Sequence, residues 1–403
     1  MKEMVNLGKA EKIRAIALNI CIFVFLFICI YSPVDPLQIK LVAYFSALFL
    51  GADILIKNLR NKYYWPVYLM GGFYPLICVI WSLALGNPVG LTLSQGYPAA
   101  LLLLVILIRE QDIQYTKWFS RLVLVLIILT IGIAVLHFLG ALDVRDASEG
   151  TIRDILMKSG TAMIGGSKRG IMQVAVYFRS SPIMIFLLAL CVNKREIWIS
   201  LAGALALFFS GTRANFFAGV IILGLSVLLY LKEIIKSEKA KKIIYGAILI
   251  AVILCMPKAI SVVSGIMAGG SHSDSVKIGQ TIGILETLKE PKNLILGEGF
   301  GSMFADMGRD GLVHETAEVG YLDYLRKAGL ILSIPFFTFI FIPFTWKIDW
   351  RIKLGYLGYL AIAATNPFLY TSTGYIIYIY IYVCRPEDTW VTKKLENKIG
   401  QKN

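Results

Sequence analysis

WFSRLVLVLIILTIGIAVLHFLG, residues 118–140, decides the class of fold. Between Arg121 and His137 it carries no ionisable side chain. A segment crossing the hydrocarbon of a bilayer needs about 20 mostly apolar residues. Lipid offers no partner to open backbone N–H and C=O groups, so such a segment must be a helix. Eleven similar runs surround it, at 13–31, 38–56, 66–85, 91–109, 171–192, 196–210, 214–231, 242–257, 328–346, 350–364 and 368–384. Some are short or closely spaced, which brackets the expectation at 11–13 spans around about 12. The chain is 57% hydrophobic and only 16% charged, where soluble domains carry about a quarter charged residues. Mean hydropathy is +0.70. The fold expected is an all-α polytopic membrane protein, with residues 1–403 as one integral membrane domain.

Charge orders the runs. The connections around Lys57/Arg60/Lys62, Arg109/Lys117/Arg121, Lys194/Arg195, Lys232–Lys242 and Lys347/Arg351/Lys353, with both tails, hold 25 basic and 11 acidic residues. The rest of the chain holds 15 of each, so the net charge of +14 falls on alternate connections. Cytoplasmic loops are enriched in Lys and Arg. This alternation predicts both termini in the cytoplasm, and loops 141–170 and 258–327 on the outer face of a cytoplasmic (inner) membrane. The basic excess is then a topology signal, and no nucleic-acid partner is expected. The first apolar run follows a charged tail and lacks a small-residue cleavage site, so it reads as a span and not a signal peptide. The six cysteines form no CxxC pair, so neither a disulfide frame nor a zinc site is implied.

The large loop 258–327, between expected spans nine and ten, is the polar anomaly of the chain. Loops beyond about 15 residues are usually functional or disordered. In SVKIGQTIGILETLKEP, Val276, Ile278, Ile282, Ile284, Leu285 and Leu288 predict an amphipathic helix lying on the bilayer surface. Pro291 ends it. LGEGFG follows, with Gly297, Gly299 and Gly301 free to let backbone approach a ligand closely. No strand–turn–helix unit accompanies these glycines, so they are not a dinucleotide or P-loop signal.

Ionisable groups at membrane depth are costly and are functional candidates by default. Arg179 lies about half a helix into 171–192, before Ser180-Ser181-Pro182, and Arg213 lies where spans seven and eight meet. Lys168 and Arg169 stand at the entrance of the same run as Arg179. Arginine's planar fork bonds phosphate oxygens in pairs and keeps its charge when desolvated. Several arginines beside a polar loop holding His314 point to a lipid-linked diphosphate.

SGTRANFFAGVIILGLSVLL at 210–229, with a Ser-x-x-Arg at the head of a span, carries a family resemblance. So does LGEGFG followed by HETAEVGYLDYLRKAGL within 296–330. Both stretches resemble the bacterial O-antigen polymerase and O-antigen ligase superfamily of membrane glycosyltransferases, and the layout of many spans with one long external loop matches it. Glu315 stands where the ligases often have Asn. The resemblance implies an all-helical fold of the GT-C kind. It implies an enzyme that polymerises undecaprenyl-diphosphate-linked repeat units into a surface polysaccharide such as O-antigen, with lipid diphosphate as leaving group. The implied partners are a lipid-linked glycan donor and acceptor, membrane lipid and a chain-length-regulating co-polymerase. No cofactor and no metal are implied, and no Asp-x-Asp motif of the nucleotide-sugar type is found.

In that scheme Arg179 and Arg213, helped by Lys168, Arg169 or Arg326, stabilise the departing diphosphate. His314, Glu315 or Glu318 takes the proton of the attacking hydroxyl; histidine as a residue type titrates near neutral pH and suits the task. Tyr321, Tyr324 and the Phe300/Phe304 pair would stack on sugars, and Gly299 and Gly301 would contact substrate. Three other functions are open. A ligase would pass polymer to another acceptor by the same chemistry. A lipid-linked oligosaccharide flippase would need neither the long loop nor an acid–base set, and would show repeat symmetry between its halves. A zinc protease is indicated only by His314-Glu315-x-x-Glu318, which lacks the second histidine of HExxH.

Overall fold

The computed structural model describes residues 9–386 except 35–36, 145, 147, 170–171, 194, 238, 241–245, 247–270 and 309–312. The expected ninth span, 242–257, the first part of the large loop and both chain ends lie outside the described residues.

The described chain is mostly helical, and among the described residues six helices are long and apolar enough to cross a membrane. They include α1 (Lys9–Tyr31). α2 (Ile39–Leu50) and α3 (Ala52–Asn58) meet at a 60° bend and make a seventh if they count as one span. α4 (Lys62–Ala84) contains a π turn at Leu69–Phe73, and α5 (Val89–Glu110) tightens to a 3-10 turn after Pro98. α6 (Tyr115–Phe138) is the run that opened the sequence reading. Leu37, Phe45, Phe49, Phe73, Ile80 and Ile128 are exposed on these elements and their flanks. An apolar surface of that extent belongs against lipid.

α7 (Ile152–Lys158) is capped by the Thr151 hydroxyl, which accepts from the Asp154 N–H at 3.3 Å. The next element departs from the helix expected over 171–192. The run 171–192 is not one helix. Its first half is a strand, β2 (Met172–Phe178), paired antiparallel with β1 (Ala162–Arg169), and only then comes the short α8 (Met184–Leu190). The hairpin alternates as a half-buried ribbon should. Ala162, Ile164, Val174, Val176 and Phe178 are buried, while Met163 pairs with Tyr177 and Gly165 with Ala175 on the opposite face. Every second residue of VAVYF is thus a core residue, and Val, Tyr and Phe favour the pleat.

α9 (Ile197–Phe209) follows with 13 residues, then the long α10 (Arg213–Ile234). Beyond the undescribed segment come α11 (Ser271–Leu288), α12 (Pro291–Leu296) and a minimal strand pair, β3 (Phe304–Ala305) with β4 (Val313–His314). α13 (Gly320–Phe341) is broken at Gly329, whose φ of 63° and ψ of 178° are not helical. At that break the chain passes Gly297 so closely that a Cβ on either residue would meet the other's backbone. α14 (Trp350–Ala363) and α15 (Ser372–Val383) close the described chain with 14 and 12 residues.

Several expected spans are therefore shorter than a bilayer crossing: α8, α9, α14 and α15 fall under the roughly 20 residues needed. Burial accounts for the apolar composition of α8, α14 and α15, whereas α9 keeps Trp198, Leu201 and Leu205 exposed. α8 packs on α9, α10 and α14, and its residues 184–189 are buried. Residues 372–382 of α15 are all buried. Two of its tyrosines satisfy their hydroxyls on backbone carbonyls, Tyr378 donating to Leu369 O at 2.7 Å and Tyr382 to Phe339 O at 2.9 Å. An apolar run alone does not separate a lipid-facing helix from a core one.

Candidate active site

A cavity of about 750 Å³ lies between the hairpin, the head of α10 and the end of the large loop. One wall is the polar face of the hairpin: Met163, Gly165, Ala175, Tyr177 and Arg179. A second is Ser210-Gly211-Thr212, where Thr212 caps α10 by accepting from the Asn215 N–H at 3.3 Å. A third is the run from His314 to Glu318, and Asn366 to Phe368 complete the lining.

Arg179 is exposed on this cavity. It is not half a helix deep. It follows β2, where its N–H donates to Thr161 O at 3.2 Å, and Ser181-Pro182-Ile183 then starts a 3-10 turn. Period-two alternation puts it on the face of Tyr177 and Ala175. Among the described residues its guanidinium makes no ion pair with an acid. Lys168 and Arg169 occupy the tip end of β1, Arg169 in register with Met172.

His314, Glu315 and Glu318 reach the cavity together because β4 and the turn after it run along its edge. Glu318 is braced by α11: its N–H donates to Gln280 Oε1 at 2.8 Å, and Lys277 Nζ lies 3.8 Å from its carboxylate. Gln280 is buried and donates onward to Asp306 Oδ2 at 2.7 Å. Glu315 is exposed. Tyr177 sits within the fields of both Arg179 and Glu318, and burial pushes its phenol above the ordinary range. Among the described residues, no three His, Cys, Asp or Glu side chains converge to hold a metal ion.

The structure separates the other sequence candidates from this cavity. Arg213, first residue of α10, turns its fork onto Asp274 of α11, with Nη1 2.8 Å from Oδ2 and Nη2 on Oδ1. Arg326 is buried and serves the chain's own acids. It bonds Asp323 at 2.8 Å, Glu298 at 2.7 Å and the Ser302 hydroxyl at 2.9 Å. Lys327 bonds Asp323 at 3.0 Å and Tyr370 at 2.8 Å. Two cations and two carboxylates balance inside the protein, so Arg326 has no room for a substrate diphosphate.

The aromatic and glycine candidates belong to the same internal joint. Tyr324 is buried, stacked on Phe336 at 4.1 Å and hydrogen-bonded to the Tyr74 hydroxyl. Tyr321 donates to Leu360 O at 3.2 Å. Phe300 and Phe304 are buried. Gly299 and Gly301 do permit a close approach, but to the chain's own helices. A Cβ at Gly299 would meet Asn87 Nδ2 at 2.5 Å, and one at Gly301 would meet Thr92 N at 2.8 Å. Between them the Phe300 N–H donates to the Ser82 hydroxyl at 2.7 Å, and Thr92 donates to Phe300 O at 2.9 Å. The glycine loop docks the large loop onto α4 and α5.

Tyr177, Phe368, Asn366 and Asp274 were not singled out in the sequence. For Tyr177 a signal existed: GGSKRG, followed by alternating β-branched and aromatic residues, reads as a turn into a strand. Nothing local marks the other three. A comparison with protein-family models finds no family that matches this chain, and a comparison with curated proteins finds no relative.

Proposed function

We propose that this chain is a membrane glycosyltransferase that polymerises polyprenyl-diphosphate-linked repeat units into a surface polysaccharide. In this reading a GT-C-like arrangement of membrane helices places the cavity on the outer face of the cytoplasmic membrane, with both termini inside. The donor and acceptor are both lipid-linked, of the undecaprenyl-diphosphate class.

One observation carries the reading. An exposed guanidinium, Arg179, shares a single cavity with His314, Glu315 and Glu318, although the two sets come from distant parts of the chain. A cation for a leaving diphosphate and a set of proton acceptors are the two things this transfer requires. The acceptor hydroxyl oxygen bonds the anomeric carbon as the bond from that carbon to the phosphate oxygen breaks. The electron pair leaves with the diphosphate, whose growing charge Arg179 stabilises. The hydroxyl proton passes to His314 or Glu315. Glu318, 3.8 Å from Lys277 Nζ, bonds sugar hydroxyls. Tyr177 and Phe368 supply the aromatic walls first sought at Tyr321 and Tyr324.

The test is complementation of a strain lacking its own polymerase, with variants matched for abundance. Arg179→Ala should lose about 100–1000-fold in polymer formation, as removal of one charge-stabilising donor does. Arg179→Lys should restore little, because lysine has no fork. Normal polymer from Arg179→Ala and from the His314→Ala/Glu315→Gln double variant would sink the reading. Deletion should leave single capped repeat units; accumulated lipid-linked polymer would instead identify a ligase.

A further inference from the structure

Arg179 lines this cavity and Arg213 lies beside its wall, and the two are in different states. Arg179 faces it with no acid partner among the described residues, whereas the Arg213 fork is taken by Asp274. We propose that Asp274 stands in for the substrate's diphosphate at Arg213, and that the lipid-linked donor displaces it on binding. This rests on the reading above.

The geometry of the pair carries the proposal. Two carboxylate oxygens meet Nη1 and Nη2 of one guanidinium. The same two donors match a pair of phosphate oxygens, and an arginine fork takes either anion in that manner. Arg213 directly follows Ser210-Gly211-Thr212 of the cavity wall. The exposures are unequal. The Arg213 side chain is 11% exposed and that of Asp274 is 43%. The arginine is thus held in place by the fold, while the carboxylate stands largely in solvent. An ion pair with one member so exposed stabilises weakly, and a diphosphate carries more charge than one carboxylate.

Asp274 also sits where its release can be tolerated. It lies in the first turn of α11. The later turns have their own anchors: Gln280 on Glu318 and Asp306, and Ile284 and Leu288 in a small core with Phe304 and Ala317. Asp274, Lys277 and Gln280 recur at three-residue spacing and share one face of the helix. That face therefore touches the arginine wall at one end and the acid wall at the other. A donor that takes Arg213 displaces the Asp274 carboxylate without undoing the contacts that hold Glu318.

The experiment uses the purified full-length protein and farnesyl diphosphate, a short prenyl diphosphate, as probe. Asp274→Asn keeps the shape and removes the competing charge. It should bind the probe roughly three- to tenfold more tightly than wild type, the scale of a weak ion pair lost from the free state. The gain should vanish in the Arg213→Ala/Asp274→Asn double variant. Asp274→Glu should bind as wild type does. Hydrogen exchange in the first turn of α11 should speed up when probe is added to wild type. Unchanged or weaker binding by Asp274→Asn, or protection of that turn by the probe, would overturn the proposal. Binding that depends on Arg179 but ignores Asp274→Asn removes this inference alone. A wild-type protein and an Asp274→Asn variant that both fail to bind the probe remove the functional reading with it.

Discussion

At the scale of single residues, charge here is divided between use and structure. Arg179, Arg213 and Arg326 look equivalent as cations in or beside apolar sequence. Their partners set them apart: a cavity for Arg179, one half-exposed carboxylate for Arg213, and a closed set of acids for Arg326. Removing one member of a buried, paired charge cluster is strongly destabilising because it strands the others. Arg326→Met should accordingly cost about 3–5 kcal/mol of stability. It should be seen as a lowered melting temperature and reduced abundance in membranes. Arg179→Ala should melt as wild type does while losing activity. If the two variants melt alike, the division between structural and functional arginines fails.

At the scale of elements, the hairpin is the feature that turns sequence into a site. Its register places Val174, Val176 and Phe178 in the core and Ala175, Tyr177 and Arg179 on the cavity. A slip by one residue would exchange the two faces. Val176→Asp should therefore abolish folded protein, while Met163→Gln, on the cavity face and exposed, should leave stability within about 0.5 kcal/mol. Thermal melts of both variants test the alternation; equal damage from both would refute it. The run 171–192 was misread because an uncharged strand and an uncharged helix look alike in a hydropathy trace. The alternation and the turn ahead of it were legible. The same ambiguity hid α8, α14 and α15, whose apolar residues mostly meet other helices.

At the scale of the whole molecule, the long apolar helices carry the structure and the large loop closes it. Among its described residues the loop is fastened by the glycine dock on α4 and α5, by the charge cluster on α13, and by Asp274 of α11 on Arg213. In the proposed topology the basic connections face the cytoplasm and the large loop lies outside. Cysteines introduced at the exposed Lys57 and Lys292 should react with an impermeant thiol reagent from opposite sides of sealed vesicles. Lys292→Cys should be labelled in intact cells, and Lys57→Cys only after permeabilisation. Labelling of both from the same side would reverse or dismantle the proposed topology.

Membrane character and the imbalance of charge between alternate connections were written in the sequence, because solvation by lipid is decided run by run. His314, Glu315, Glu318, Arg179 and Arg213 were also legible as polar residues out of place. What each of them touches was not. Whether an arginine faces a cavity, a solvent-exposed aspartate or a buried carboxylate cluster depends on segments far apart in the chain, such as Arg213 with Asp274 and Arg326 with Glu298. Apolar composition specifies that a segment leaves water. Only packing decides whether it leaves water for lipid or for other helices, and which charges it brings together when it does.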